Sequence, residues 1–311
     1  MASPILTAKH FQDEEAAFAY VEAALWPEGP HCPHCGGVER ISKMQGKSTR
    51  IGLYKCYQCR QPFTVRMGTI FESSHIPLHL WLQAIHLICS SKKGISANQI
   101  HRTLGVTVKS AWFLMHRIRE AMRAGDLSPM GGAGQTVEID ETVFGKQDDA
   151  PKDASFKGSN FRNIALTLVE RGGSSRSFHV DGASIADLQP IIQANVARET
   201  AIMTDEWSSY RAIGREFASH DAVVHSKDEY VRREGEKIIT TNSVEGYYSI
   251  FKRGMKGVYQ HCKEKHLHRY LAEFDFRFSN RAIRGVDDAA RADRALVGVK
   301  GKRLTYQTTS H

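Results

Sequence analysis

The sequence predicts a mixed α/β fold: an α/β domain of about 150 residues in the second half, preceded by a small metal-held module and a helical region. Three observations carry this. Strand-like runs at 136–140, 163–170 and 176–180 come first, the last two joined by Gly172-Gly173-Ser174-Ser175 as in a hairpin, and alternating helical and apolar segments follow. Two Cys-x-x-Cys pairs lie near the start of the chain. Between the halves, Leu127-Ser-Pro-Met-Gly-Gly-Ala-Gly-Gln135 has the composition of a linker.

Each element then follows in order. Phe11, Phe18, Val21 and Leu25 recur at helical spacing, with acidic residues at the start and Pro27 as a stop, so 1–28 holds an N-terminal helix. Residues 29–67 are rich in Cys, Gly and Lys, lack a helical period and form the metal-held module. Helical periodicity returns across 68–125, interrupted at Gly94 and Gly105. After the linker, 126–135, the α/β domain spans 136–285; within it a helix fits 186–197, the apolar run 201–205 reads as buried, and a long helix begins near Val244. Residues 286–311, charged, Ala-rich and then polar, read as a loose C-terminal tail.

Composition narrows the function before any motif does. With 311 residues, 24% charged and 41% hydrophobic, the chain has apolar surface for a sizeable core and none of the bias of collagen-like or disordered sequences. Lys and Arg number 42 against 34 Asp and Glu, a net charge of +8 that favours an anionic partner, nucleic acid or a membrane surface. No run approaches the ~18 apolar residues of a spanning helix, and Asp13, Glu14, Glu15 and Glu22 stand where a secretion signal would be basic and then apolar. The expected location is the cytoplasm, with no membrane partner.

Cys32-Pro-His-Cys35 and Cys56-Tyr-Gln-Cys59 are twenty residues apart. The two-residue spacing lets both thiolates of a pair meet one Zn²⁺ from a tight turn, and a spacer of this length lets a hairpin bring the second turn opposite. Four thiolates close the tetrahedron, so one structural Zn²⁺ per chain is expected on Cys32, Cys35, Cys56 and Cys59. His31 and His34 are substitute ligands by position, while Cys89 and Cys262 stand alone as ordinary thiols.

Residues 95–104 with Ser96 as cap, Gly105-Val106 as turn and a helix over 107–122 match the helix-turn-helix plan. The second helix would present Lys109, Ser110, His116, Arg117 and Arg119 to a groove. Two core helices with a solvated basic face fit the same pattern, but seven basic residues against one acidic over 91–123 favour DNA.

Three carboxylates occupy telling places. In Thr136-Val-Glu-Ile-Asp140, Val137 and Ile139 face one side of a strand and Glu138 and Asp140 the other. Asp205 ends an apolar run, the usual position of functional groups in open α/β sheets. Glu245 starts the late helix, whose stripe Val244, Tyr247, Tyr248, Phe251, Met255 is a core face, and Lys252 returns to its azimuth two turns and ~10 Å on. Glu245 also fits a capping box with Asn242 as the cap. Residues 246–281 hold eight basic and three acidic side chains interleaved with Tyr and His, a surface suited to gripping a phosphate backbone through Lys252, Arg253 and Lys256. An ordinary packing face with snorkelling lysines is the alternative.

Val137-Glu-Ile-Asp-Glu-Thr142, Met203-Thr-Asp-Glu-Trp-Ser-Ser-Tyr210, Thr241-Asn-Ser-Val-Glu245 and Phe251-Lys-Arg-Gly254 through His266-Leu-His-Arg-Tyr-Leu-Ala-Glu-Phe274 resemble the core of bacterial insertion-sequence transposases of the DDE class. The group resembled carries an N-terminal zinc ribbon and an RNase-H-like catalytic domain, and Met67-Gly-Thr-Ile-Phe71 through Met122 is similar to it as well. The resemblance implies an RNase-H-like domain, a mixed sheet flanked by helices, over 136–285. It implies two catalytic Mg²⁺ ions, or Mn²⁺ in their place, held by Asp140, Asp205 and Glu245, with Lys252 on the phosphate near the scissile bond. In subgroups the third acidic position is asparagine, which makes Asn242 the rival of Glu245. Glu141, beside the first aspartate, and Glu206, beside the second, read as solvated or secondary. The activity implied is cleavage at the terminal inverted repeats of the element and strand transfer into target DNA, by a homo-oligomer assembled on DNA. A catalytically silent DNA-binding regulator, or an RNase-H-like nuclease that cuts without joining, would share these motifs.

Overall fold

A computed structural model describes residues 4–125, 128–151 and 160–305. They fall into two compact units, Met1–Arg123 together with Val286–His311, and Ala124–Gly285.

The first unit opens with α1 (Lys9–Gln12) and α2 (Glu14–Leu25) in place of one continuous helix. Asp13 leaves helical geometry and caps α2, accepting the Ala16 N–H at 2.8 Å, and α2 buries Ala17, Phe18, Val21 and Leu25. Three short strands follow, β1 (Ile41–Lys43), β2 (Tyr54–Cys56) and β3 (Pro62–Phe63), antiparallel in the order β1-β2-β3. Then come α3 (Leu78–Ser90), α4 (Ala97–Leu104) and α5 (Val108–Met122). Ser96 and Gln99 close a capping box on α4, Gly105 ends it at φ 68°, and Thr107 caps α5. Both helices and the turn between them therefore lie where Ser96, Gly105 and Thr107 predict.

The second unit holds β4 (Thr136–Phe144), β5 (Asn163–Glu170), β6 (Ser175–Val180), α6 (Ile185–Asn195), β7 (Ala201–Thr204), α7 (Ser208–Gly214) and β8 (Ser219–Ala222). After them come a hairpin of β9 (Val231–Glu234) and β10 (Lys237–Thr240), then α8 (Asn242–Gly254) and α9 (Glu264–Ser279). The main sheet has the order β6-β5-β4-β7-β8: β5 runs antiparallel to both β4 and β6, while β7 and β8 run parallel to β4. Strand alternation divides the core. Val137, Ile139, Ile164, Leu166 and Leu168 pack with Leu188, Ile192, Tyr210 and Ile213 of α6 and α7. On the other face Phe144, Ala165 and Val169 pack with Val244, Tyr247, Phe251, Leu271 and Phe274 of α8 and α9. α8 runs on into a π-helical turn, Met255–Tyr259. The hairpin β9–β10 has no counterpart in the sequence reading, because β9 is mostly charged and exposed and β10 is a four-residue run with no apolar alternation.

Two boundary expectations change. Of the linker expected over 126–135, residues 126 and 127 lie outside the described residues. From Met130 the chain belongs to the second unit: Met130 is buried, and its backbone bonds Asn195 and Ala197 at 2.7 and 2.9 Å. The tail expected over 286–311 contains α10 (Asp288–Val297), which packs on α3, α2 and α5 and buries Ala295 and Leu296. Arg291 fastens it, donating to the Cys89 and Val286 carbonyls at 2.9 and 3.2 Å. Arg291, Ala295 and Leu296 supply this interface, one large apolar side chain among them, so it leaves little hydrophobic signature; residues 306–311 lie outside the described residues.

Candidate functional site

The first unit carries a thiolate cluster. Among the described residues, Cys32, Cys35, Cys56 and Cys59 are the group whose ligand atoms all lie within 4.8 Å of one another. The Cys32–Cys59 and Cys35–Cys56 sulfurs are 3.6 and 3.7 Å apart, the edge length of a tetrahedron with Zn–S bonds of ~2.3 Å. Two matching turns build it. Cys32 N–H donates to Gly37 O at 2.8 Å and Cys56 N–H to Gln61 O at 3.0 Å. The fifth residue of each turn, Gly36 or Arg60, is left-handed at φ 72° or 64°. Backbone N–H groups of Cys59 and Gln58 hold the Cys56 thiol down at about 7, while the Cys35 and Cys59 thiols are pushed up, as expected of four sulfurs crowded together. Trp26, Tyr54 and Phe63 pack beneath with centroids 5.4 to 5.9 Å apart. His31 stacks edge-on against Trp26 and His34 reaches Pro62 O at 3.4 Å, so neither substitutes for a cysteine. Donor chemistry and spacing both fit a structural zinc ion.

The second unit places carboxylates where β4 and β7 stop pairing and on the first turn of α8. β4 and β7 pair from Thr136↔Ala201 to Glu138↔Met203, and β7 ends at Thr204. Continuing that register by two residues sets Asp140 opposite Asp205, where the strands have parted. Burial lifts the Asp140 carboxyl well above the ordinary carboxylate range, and Glu141, Asp205 and Glu245 lift it further by repulsion. Part of the Asp140 residue surface stays open to solvent. Asp205 is also raised by burial, opposed by the Trp207 N–H on its Oδ1 at 3.0 Å and by His225. Glu245, on the first turn of α8, remains partly exposed. The three carboxylates do not approach one another as closely as the cysteines do.

Several partners differ from the sequence reading. Thr241, not Asn242, precedes α8, and its hydroxyl donates to Glu245 Oε1 at 2.9 Å. Asn242 is exposed at the helix start, its N–H on Thr240 Oγ1 at 3.2 Å. Glu141 is not a solvated neighbour: it faces the α7 side, accepts the Tyr210 hydroxyl, and is raised by burial. Glu206 accepts the Ser226 N–H at 3.1 Å, drawing the turn with His225 over the site, where His225 Nε2 lies 3.5 Å from Glu245 Oε1. Tyr248 donates to the Asp140 carbonyl at 2.6 Å and fixes the strand from below. His225 and Tyr248 were not singled out as site residues, since a lone histidine between strands and an aromatic in a core stripe give no signal of their own.

The cationic residues divide. Lys109 is exposed at the start of α5. Arg117 and Arg119, expected on the DNA-reading face, are buried, 5% and 1% exposed. Arg117 donates to the carbonyls of Leu304, Ile70 and Glu72 at 2.7 to 2.9 Å, so it ties the C-terminal segment and the 70–72 turn to α5 and cannot reach a groove. Residues 114–122 of α5 are buried throughout because α3, α4 and α10 surround it. Lys252, Arg253 and Lys256 by contrast are exposed. A cleft of about 960 Å³ beside α8 is lined by Lys146, Arg162, Lys252, Lys256, His261 and Lys263, with Asp148 the one acidic side chain among the described residues of its wall. The three carboxylates are not among the residues that line it.

Comparison with known families gives the class. Residues 131–279 match the ISXO2-like transposase domain and residues 12–62 match the transposase zinc-ribbon domain. Together these matches support an insertion-sequence transposase. More particularly, the chain is similar to the "Uncharacterized protein in transposable element ISH50" of Halobacterium salinarum (strain ATCC 700922 / JCM 11081 / NRC-1), 24% identical over 283 residues, which cover 86% of this chain and 92% of that protein. Among the described residues no helix is long and apolar enough to cross a membrane.

Proposed function

We propose that this chain is a metal-dependent DNA transposase that cleaves at the terminal inverted repeats of an insertion sequence and joins the freed strand to target DNA. The observation that carries the reading is the β4–β7 register, which continued by two residues sets Asp140 opposite Asp205, with burial and then Glu141, Asp205 and Glu245 all disfavouring the Asp140 charge, a balance that a cation would reverse. Three antiparallel strands followed by two parallel ones, with Asp140 and Asp205 just past the residues that pair β4 with β7, support an RNase-H-like fold for the unit. Asp140, Asp205 and Glu245 hold Mg²⁺ or Mn²⁺, oxygen donors suiting such hard ions. The bound ions supply Lewis-acid stabilisation of the phosphodiester and activation of the attacking oxygen. Lys252 and the basic cleft beside it hold the phosphate backbone, and Arg253 and Lys256 extend that grip. The α4–α5 pair reads DNA as a helix-turn-helix through Lys109, without Arg117 and Arg119. Two element ends require a homo-oligomer on DNA, and such work places the protein in the cytoplasm.

The test incubates labelled element-end duplex with the protein and Mg²⁺ or Mn²⁺, beside Asp140→Asn. Cleaved and joined products are expected, about a thousandfold or more slower in the variant, the several kcal/mol of a lost metal ligand. Specific binding with no product above the variant would leave a silent regulator; cleavage without joining would leave a nuclease.

A further inference from the structure

Glu138 lies two residues before Asp140 on β4 and is fully buried. Its two oxygens take four donors: Arg171 Nε at 2.8 Å, Ser243 N–H at 2.7 Å, the Ser243 hydroxyl at 3.0 Å and Val244 N–H at 3.2 Å. The strand that carries Asp140 is thereby bolted to the first turn of the helix that carries Glu245, and the carboxylate occupies the positive end of that helix. Arg171, just past β5, uses its remaining guanidinium nitrogens on the neighbouring pieces. Nη1 donates to Ile238 O at 2.7 Å, and Nη2 reaches Thr240 O at 2.9 Å and Met203 Sδ at 2.8 Å. Met203 lies on β7, two residues before Asp205, and Thr240 ends the strand that leads into α8.

One ion pair thus touches all three segments that deliver the carboxylates. We propose that Glu138 and Arg171 are a positioning pair that sets the spacing of Asp140, Asp205 and Glu245, a claim that rests on the metal-site reading above. Stability alone does not explain the pair, because apolar residues of similar volume commonly replace buried ion pairs at no cost. A fork of fixed geometry does explain it, since a planar guanidinium bonds several acceptors at defined angles where an ammonium cannot.

The test uses the full chain with Glu138→Gln, Arg171→Lys and Arg171→Ala. Thermal melts report folding, titrations report affinity for element-end DNA, kinetics separate kcat from KM, and electron paramagnetic resonance measures Mn²⁺ binding without DNA. In folded Glu138→Gln and Arg171→Lys, kcat and Mn²⁺ affinity are expected to fall roughly ten- to a hundredfold while KM for DNA holds, the usual effect of removing a group that orients metal ligands. Added guanidinium is expected to restore part of the loss in Arg171→Ala. Unchanged kcat and Mn²⁺ affinity in folded variants, or a loss that only follows the unfolded fraction, overturns the proposal. If those variants unfold, Ser243→Ala, which removes one donor to Glu138, decides: a severalfold loss of Mn²⁺ affinity sustains the pair and none refutes it. If the wild type fails to cleave DNA yet Glu138→Gln weakens Mn²⁺ binding, the transposase reading falls and the pair stands. If Asp140→Asn abolishes cleavage and Glu138→Gln does not slow it, the pair falls alone.

Discussion

The thiolate cluster and the carboxylate centre are both suited to cations, yet they are built in opposite ways. The cysteines come from one stretch, 32–59, and two near-identical turns hold them within 4.8 Å. The carboxylates come from β4, the end of β7 and the first turn of α8, and repel one another across a site held open by a sheet, a hairpin and two helix layers. A thiolate cluster in a small module has little apolar core besides its ligands, whereas the carboxylates sit on a sheet whose two faces each carry a large apolar core.

That contrast can be broken most forcefully at the cysteines. Cys56→Ser should lose zinc, measured as metal per chain, and unfold the 29–67 module, since structural zinc supplies roughly 10–16 kcal/mol in modules of this kind. Full zinc retention would end the four-cysteine assignment. Next, Glu245→Gln should slow strand cleavage about a hundredfold or more, about 3 kcal/mol, with the melting curve unchanged, while Asn242→Ala stays within a few-fold of wild type. The reverse ranking would hand the third position to Asn242.

A smaller effect probes the scaffold. Asp275 of α9 accepts the Ser177 N–H and hydroxyl at 2.8 and 2.7 Å, and burial raises its carboxyl from 3.8 to about 6. A folded-state value above the unfolded one means the native chain binds this proton more tightly. Its contribution is therefore full below about pH 4 and lost as pH rises to about 6, up to about 3 kcal/mol. Asp275→Asn should flatten that part of the stability profile in denaturant titrations, and an unchanged slope would refute it. Smallest of all, Arg60→Gly should stabilise the zinc module by up to about 1 kcal/mol, because Arg60 holds the left-handed geometry that Gly36 adopts freely in the matching turn. A lower melting temperature would contradict the likeness of the two turns.

How much was legible follows from the same contrast. Cys-x-x-Cys is local, so spacing alone predicts which atoms meet. Ser96, Gly105 and Thr107 are local too, and α4 and α5 begin and end on them. Alternation put Glu138 and Asp140 on one face, but nothing in five residues says that one is buried under α8 and the other faces the cleft between strands. Arg171 is invisible for the same reason: its partners lie on β4, β7 and β10. Charge counting failed at Arg117 and Arg119, because a sum over 91–123 treats every arginine as surface while α3, α4 and α10 pack on α5 and bury both. The α10 helix gives a weak signal because Leu296 is the one large apolar side chain it buries, beside Ala295 and Arg291.

That α10 belongs with α2, α3 and α5 has a consequence for synthesis. The first unit is interrupted by the second, so its opening helices leave the ribosome without their last packing partner. They wait, with Cys89 and its neighbours uncovered, until all of 124–285 has been translated. A stalled or prematurely terminated chain would then expose an unfinished core at its beginning, and quality control would find the defect there, far from the point of interruption.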